Sequence, residues 1–153
     1  MDASETQRLV DRYRALVLAY APGAEIHLAG SALLGDLPNQ DLDLVVLVAN
    51  VARTAEHLRP VLPPLYEDEW RSDWAAFRDP GPPQVDIVVT IRGTNGDAHH
   101  RLAWQALLSD AGLKEEYVRL RAAGMSPGQK ALFFDGVVAS LSSRGPAEAH
   151  GSG

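Results

Sequence analysis

The fold is decided by residues 27–48, which read HLAGSALLGDLPNQDLDLVVLV. Gly30-Ser31 ends a short apolar segment, and ten residues after the serine an alternating acidic and apolar segment leads into a β-branched run. Such runs, bounded by turn residues, are typical of strands. The pattern therefore predicts a short strand over residues 25–29, a turn, and a central strand over residues 42–48.

Two acidic residues stand side by side on the predicted central strand. Asp41 and Asp43 are two residues apart, so both carboxylates project from the same face of the strand. Two neighbouring carboxylates repel each other when ionised, and a divalent cation relieves that repulsion. Mg²⁺ prefers carboxylate oxygens together with substrate phosphates and waters. The pair therefore predicts a site for Mg²⁺ or Mn²⁺.

A third acid, Asp86, interrupts an otherwise apolar strand predicted over residues 85–91. A carboxylate in that position needs a partner. If the two strands are neighbours, three carboxylates converge, which is enough for two metal ions roughly 3.5–4 Å apart. We therefore predict Asp41, Asp43 and Asp86 as catalytic and metal-binding residues. A solvated strand edge for the first two, and backbone partners for Asp86, remain alternatives.

The Gly30-Ser31 turn supplies a phosphate site in this prediction. Glycine lets backbone N–H groups approach phosphate oxygens without interference from a Cβ atom. The Ser31 hydroxyl adds one more donor. The turn and the acids together predict a site for a nucleoside triphosphate (NTP), and the metal would offset the negative charge of both.

The remaining segments predict a sheet covered by helices. A helix over residues 4–20 begins with Ser4 and Gln7 as a capping box. Asn50 caps a second helix that runs to about Leu62, and one or two strands fall within residues 66–79. Helices follow over about 99–108 and 114–123, and a last one starts at Ser126-Pro127 with Gln129 as its capping partner. The apolar face of the last helix is predicted as Ala131, Leu132, Phe134, Val137, Val138 and Leu141. This order predicts an α/β (α+β-like) fold with a mixed β-sheet.

Length and composition restrict the class of protein. The 153 residues predict one domain over residues 1–143, with its core at 25–91, a helical part at 97–143 and a disordered tail at 144–153. The chain has no cysteine, which excludes disulfides, thiolate zinc sites and a cysteine nucleophile. No apolar run approaches the roughly 20 residues of a membrane helix, and no signal pattern is present, so we expect a cytoplasmic protein without a membrane partner. The net charge of −6 argues against a nucleic-acid partner.

At these residues the chain resembles the polymerase-β-type nucleotidyltransferase superfamily. That pattern has an apolar residue, Gly, then Gly or Ser, a gap near ten, two acids separated by one residue, and a third acid on a later strand. Within the superfamily the chain is most similar to the GrpB-like family. The sequence departs from that family in having Asn39-Gln40 in place of Lys-Pro, the additional Asp41, and Asp86 where the family often has His. The looser matches are His27, Arg101–Ala106, Glu115–Tyr117 and Lys130–Phe133.

The resemblance implies the nucleotidyltransferase fold and transfer of a nucleoside monophosphate from an NTP to a small-molecule acceptor. Alternatives are the same chemistry on a protein or RNA acceptor, as in some toxin–antitoxin pairs, or a non-catalytic nucleotide-binding module. Lys130 and Arg101 are candidates for binding phosphate, with solvated helix positions as the alternative. A homodimer that completes the acceptor pocket is compatible with this size. The roles of His99, His100, Trp70 and Trp74 remain open.

Overall fold

Five strands form one mixed sheet in the computed structural model, which describes residues 1–143. The predicted tail at 144–153 lies outside the described residues. The order across the sheet is β1-β2-β5-β4-β3, with β2 and β5 parallel and every other neighbouring pair antiparallel. The strands are β1 (Glu25–Ala29), β2 (Leu42–Leu47), β3 (Pro64–Leu65), β4 (Trp74–Asp79) and β5 (Val85–Thr90).

Helices precede, interrupt and follow the strands. They are α1 (Ala3–Tyr20), α2 (Val51–Leu58), α3 (Asn95–Asp97), α4 (Ala103–Ser109), α5 (Ala111–Ala122) and α6 (Pro127–Ser143), with a π-helical segment at Ala98–Leu102 and 3₁₀ turns at Ser31–Leu34 and Glu67–Glu69. A mixed sheet with helices packed on it confirms the predicted fold class. Over residues 1–143, every helix is too short or too polar to cross a membrane.

The two faces of the sheet bury different clusters. On β2, Leu42, Leu44 and Val46 belong to the core cluster that contains the buried residues of α1 and α2. Val45 and Leu47 belong to the cluster formed with α4, α5 and α6. Since side chains alternate along a strand, Asp43 lies on the same face as Val45 and Leu47. The sheet therefore presents Asp43 to the C-terminal helices.

Strand register sets the positions of the charged side chains. Asp43 and Asp86 are directly paired across the parallel strands β2 and β5. Ala29, at the end of β1, is paired with Asp43 on the other side, and Arg78 of β4 is paired with Asp86. The end of β1, the two acids and one arginine therefore form a row across four neighbouring strands.

The capping predictions are confirmed at two helices and wrong at one. The Asn50 side chain accepts a hydrogen bond from the backbone N–H of Arg53, at 3.0 Å, although α2 ends at Leu58 rather than near Leu62. At α6, Ser126 and Gln129 exchange two hydrogen bonds as a capping box. At α1 the cap is Asp2, whose carboxylate accepts from Glu5 N at 2.8 Å, rather than Ser4.

The predicted apolar face of α6 is partly wrong. Phe134 and Val137 are buried, but Leu132 is 74% exposed. Residues two apart on a helix differ by about 200°, so a face centred on Phe134 and Val137 turns Leu132 to the outside.

Candidate active site

A cavity of about 960 Å³ lies between the sheet face that carries Asp43 and the helical segments α3, α4 and α6. This volume is at the upper end of the range of small-molecule pockets. Acidic, basic and aromatic side chains line it together with Gly30, among them Asp43, Asp86, Trp74, His100 and Lys130. The cavity therefore joins the predicted Gly-Ser turn and two of the three predicted acids in one site.

Asp43 lines this cavity, and its carboxylate has no hydrogen-bond or ion-pair partner among residues 1–143. Burial, and after it the neighbouring charge of Asp86, raise its pKa to about 6. The charge of Lys130 acts in the opposite sense. Among residues 1–143, no hydrogen-bond donor contributes to this pKa. Asp43 is therefore a carboxylate that could bind a cation from outside the chain.

Asp86 has a partner from within the protein. Arg78 Nε donates to Asp86 Oδ1 at 2.7 Å, and Arg78 Nη2 donates to Asp86 Oδ2 at 2.9 Å. This bidentate pair is partly exposed, at 34% for the arginine side chain and 21% for the aspartate. The hydrogen bonds to Asp86 raise the pKa of Arg78. Both oxygens of the third predicted acid are therefore engaged by one guanidinium.

Asp41 does not join the other two acids. It is exposed, precedes β2, and lines a separate shallow pocket with Gln84, whose Nε2 donates to Asp41 Oδ2 at 3.3 Å. The charge of Asp41 raises the pKa of Asp43 only as a lesser cause. Across residues 1–143, no group of three or more His, Asp or Glu side chains is arranged to hold a metal ion. The expected convergence of three carboxylates is therefore reduced to two, because β2 begins at Leu42 and Asp41 lies outside its pleat.

Gly30 fits tightly beside Asp43. Its φ of +68° is in the left-handed region, and a Cβ atom there would overlap Asp43 Oδ2 and lie 2.8 Å from Asp43 Cβ. Ser31 lies differently from the expectation: it is buried, does not line the cavity, and its carbonyl accepts from Gln40 Nε2 at 2.9 Å. Gly30 therefore leaves room for the carboxylate, while Ser31 starts the 3₁₀ turn behind it.

The two basic candidates lie in different environments. Lys130 lines the cavity, near the start of α6, with its Nζ 5.8 Å from the ring centroid of Trp104. Arg101 is only 6% exposed and is held by Asp97 through bonds of 2.6 and 2.7 Å. Arg101 does not line the cavity. The structure thus keeps Lys130 as a phosphate candidate and gives Arg101 a buried ion pair in place of the expected phosphate contact.

His99 and His100, whose roles the sequence leaves open, both line the cavity. In the π-helical segment, His99 Nε2 lies 3.0 Å from Asp135 Oδ1 and its Nδ1 lies 3.0 Å from the carbonyl of Asn95. His100 packs against Trp74, with ring centroids 6.1 Å apart. Burial lowers the pKa of His100 to about 4, so its ring is neutral at pH 7.

The two tryptophans within residues 66–79 have separate roles. Trp74 lines the cavity, whereas Trp70 packs on Phe77 at 5.3 Å and donates from its indole N–H to the carbonyl of Leu65 at 2.9 Å. Trp70 is therefore a packing residue, and Trp74 forms part of the cavity wall.

Arg78 is the main residue of the site that the sequence interpretation missed. Alternation along β4 places it on the same face as Trp74, which is a usable signal. Its pairing with Asp86 depends on the register of two strands joined by a Pro-rich loop, which alternation does not give.

The donor set fits one divalent cation. Asp43 and Asp86 offer carboxylate oxygens from paired positions on parallel strands, and Mg²⁺ commonly binds one or two carboxylates and completes its coordination with phosphate oxygens and water. The fit is supported by the environment of Asp43, which has no hydrogen-bond donor among residues 1–143 and whose pKa is raised by burial and by Asp86. The cavity thus offers the carboxylates of Asp43 and Asp86, whereas the sequence predicted three acids including Asp41.

The fold is similar to the solved folds of GrpB and of Cid1 poly(U) polymerase, which agrees with the fold that the resemblance in sequence implied. The crystal structure of conserved protein GrpB from Enterococcus faecalis aligns with a TM-score of 0.67 and 12% identity, over 91% of this chain and 93% of that one. Cid1 poly(U) polymerase with MgGTP bound aligns with a TM-score of 0.50 and 22% identity, over 77% of this chain.

These similarities are similarities of fold. The aligned region spans only 41% of the Cid1 chain in that structure and 41% in a second Cid1 structure, which aligns with a TM-score of 0.50 and 20% identity. No family model and no curated protein matches the sequence itself.

The raised pKa of Asp43 predicts a pH-dependent stability. Because the folded protein holds this proton up to about pH 6, against 3.8 for an ordinary aspartate, the stabilising contribution of protonated Asp43 is complete below about pH 4 and is lost as the pH rises through about 6. Asp43→Asn cannot ionise. Without metal, the difference in free energy of unfolding between Asp43→Asn and wild type should therefore shift in favour of the variant by about 2–3 kcal/mol between pH 4 and 7.5. Urea denaturation in EDTA measures this, and a pH-independent difference would contradict it.

The contact at Gly30 predicts a second effect. Gly30→Ala places a methyl group against Asp43 and retains an unfavourable φ, so we expect a loss of about 2–3 kcal/mol in stability together with weaker Mg-NTP binding. Gly124→Ala is the matched control, because Gly124 has a φ of +86° and no atom within 4 Å of the position that a Cβ would take. Equal losses for the two variants in urea denaturation and NTP titration would show that the contact with Asp43 is unimportant.

Proposed function

We propose that the protein is a metal-dependent nucleotidyltransferase that moves a nucleoside monophosphate from an NTP to a small-molecule acceptor. The observation that carries the proposal is the pairing of Asp43 with Asp86 beside the positive-φ Gly30, at the wall of a cavity of about 960 Å³. The fold is compatible with that chemistry. The two carboxylates and the turn are the parts that such a reaction requires.

Each residue of the site has a role in this proposal. Asp43 and Asp86 would hold Mg²⁺ or Mn²⁺, which would offset the charge of the triphosphate and activate the acceptor. The backbone at Gly30 would approach the phosphates closely, and the Lys130 ammonium would attract their charge. A nucleophilic oxygen or nitrogen of the acceptor would form a bond to the α-phosphorus as the bond to the bridging oxygen breaks. Pyrophosphate would leave, and the acceptor proton would pass to a carboxylate of the site.

The cavity supports a small acceptor. Beyond the carboxylates, its wall contains Trp74, the neutral His100 and side chains of both charges, Arg71 and Asp135. An aromatic face with a few polar groups is typical of sites for small organic molecules. The net charge of −6 does not favour an RNA acceptor. A protein acceptor and a non-catalytic nucleotide-binding module are the alternatives that the experiment must separate.

The test is pyrophosphate release from each NTP with Mg²⁺ or Mn²⁺ and a panel of hydroxyl and amine acceptors, in parallel with thermal denaturation. Turnover that depends on metal and on a small acceptor supports the proposal. Turnover only with a protein or RNA acceptor identifies that alternative. Thermal stabilisation by Mg-NTP without turnover under any condition indicates a binding module, and no stabilisation by any NTP contradicts the proposal.

A further inference from the structure

Arg78 is a cationic side chain at the candidate metal site. Strand register places it opposite Asp86, and its guanidinium makes bonds of 2.7 and 2.9 Å to the two oxygens of that carboxylate. Planar guanidinium and carboxylate groups match in this bidentate geometry, so the pair is strong and orientation-specific. Both carboxylate oxygens of Asp86 therefore accept a hydrogen bond from the Arg78 guanidinium.

The arginine also stabilises the arrangement of the two acids. Without it, two carboxylates would face each other across adjacent strands with no cation between them. The charge of Arg78 acts on Asp43 as well as on Asp86, although Asp43 receives no bond from it. Asp86 is also only partly buried, since 21% of its side chain is exposed. Of the two carboxylates, Asp86 is thus already paired with a cationic side chain of the protein, Arg78.

We infer that Arg78 is a built-in counter-cation that competes with the divalent cation for the oxygens of Asp86. This inference rests on the proposed function, because it concerns the same carboxylates. A metal ion that binds an oxygen of Asp86 shares that carboxylate with the Arg78 guanidinium and lies close to its positive charge, which weakens binding of the free ion. A metal–triphosphate complex brings phosphate oxygens that offer the guanidinium a new acceptor. The pair therefore favours the metal–nucleotide complex over the free metal and keeps the site folded when both are absent.

The competition is measurable as Mn²⁺ affinity in the absence of nucleotide. Because Arg78→Gln removes the positive charge and both bonds to Asp86, we expect it to bind free Mn²⁺ about tenfold more tightly than wild type. Electron paramagnetic resonance of free Mn²⁺ gives the dissociation constant without any catalytic assay. Arg78→Lys, which keeps the charge but loses the bidentate geometry, should show a smaller increase.

The control is Arg92→Gln. It removes the same charge from an exposed ion pair with Glu25, at the opposite end of the sheet. We expect its Mn²⁺ affinity to equal that of wild type, so that net charge alone is excluded as the cause. If Arg78→Gln does not fold, the inference is decided by Arg78→Lys.

The outcomes separate the inference from the function. If wild type, Arg78→Gln and Arg78→Lys bind Mn²⁺ equally, the inference is overturned and the proposed function stands. If Arg92→Gln gains as much as Arg78→Gln, competition at Asp86 is also overturned. If no variant binds Mn²⁺ with or without an NTP, the proposed function fails and the inference fails with it.

Discussion

Replacing Asp43 with Asn should abolish pyrophosphate release and remove the thermal stabilisation by Mg-NTP. Burial and the charge of Asp86 oppose the ionisation of Asp43, and no hydrogen-bond donor binds it among residues 1–143, so the proposed metal is the cation that would stabilise its charge. A metal supplies several kcal/mol of transition-state stabilisation, so the rate should fall by at least about 10²-fold. Pyrophosphate release at saturating NTP and the melting temperature with and without Mg-NTP are the two measurements.

Two further aspartate variants make this result specific. Asp11→Asn changes an exposed carboxylate on α1 and should leave both measurements at wild-type values. Asp41→Asn tests the acid that lies outside the cavity. Its charge acts on Asp43 only from a distance, so we expect a loss much smaller than that of Asp43→Asn. An equally large loss for Asp41→Asn would restore the three-acid site expected from the sequence, and an active Asp43→Asn would contradict the proposed function.

Replacing Arg101 with Met should lower the free energy of unfolding by about 3–5 kcal/mol. Arg101 and Asp97 form a bidentate pair that is almost fully buried, and Asp97 also accepts from Gly93 N at 2.9 Å. Removing the arginine leaves an aspartate of 0% exposure without its main partner. Urea denaturation of the single variant measures the loss.

The double variant Asp97→Asn with Arg101→Met distinguishes the two roles considered for Arg101. If the residue is a buried structural partner, the double variant should be more stable than the sum of the single losses predicts. Mg-NTP affinity, measured where the protein is fully folded, should stay at the wild-type value. A lower affinity in the folded double variant would show that Arg101 contacts the nucleotide after all.

Most of the fold could be predicted from local pattern. The strand at Glu25–Ala29 and the start of the central strand at Leu42 follow from apolar runs between turn residues, and the caps at Asn50 and Ser126 follow from side-chain chemistry. These features depend on residues close in sequence. The short strand at Pro64–Leu65 was missed because two residues are too few to show the alternation of side chains that identifies a strand.

The candidate site depended on contacts between distant residues, and there the predictions divide. Asp43 and Asp86 were brought together as expected, since both sit within strong strands that pair in parallel. Asp41 was assigned to the same face as Asp43, but it precedes the strand, where the alternation of side chains does not apply. Arg78 was missed because its role is set by the register of β4 against β5. Arg101 was interpreted by its charge, and its burial comes from the packing of α3 and the π-helical segment.

The central claim is that one divalent cation binds between Asp43 and Asp86 with the triphosphate beside Gly30. Crystals grown with Mn²⁺ and a non-hydrolysable NTP analogue test it most directly, through the anomalous signal of the metal. The account predicts a peak within coordination distance of both carboxylates, with phosphate density next to the backbone of Gly30. A peak elsewhere, with Arg78 still bonded to both oxygens of Asp86 and the phosphates outside the cavity, would contradict it.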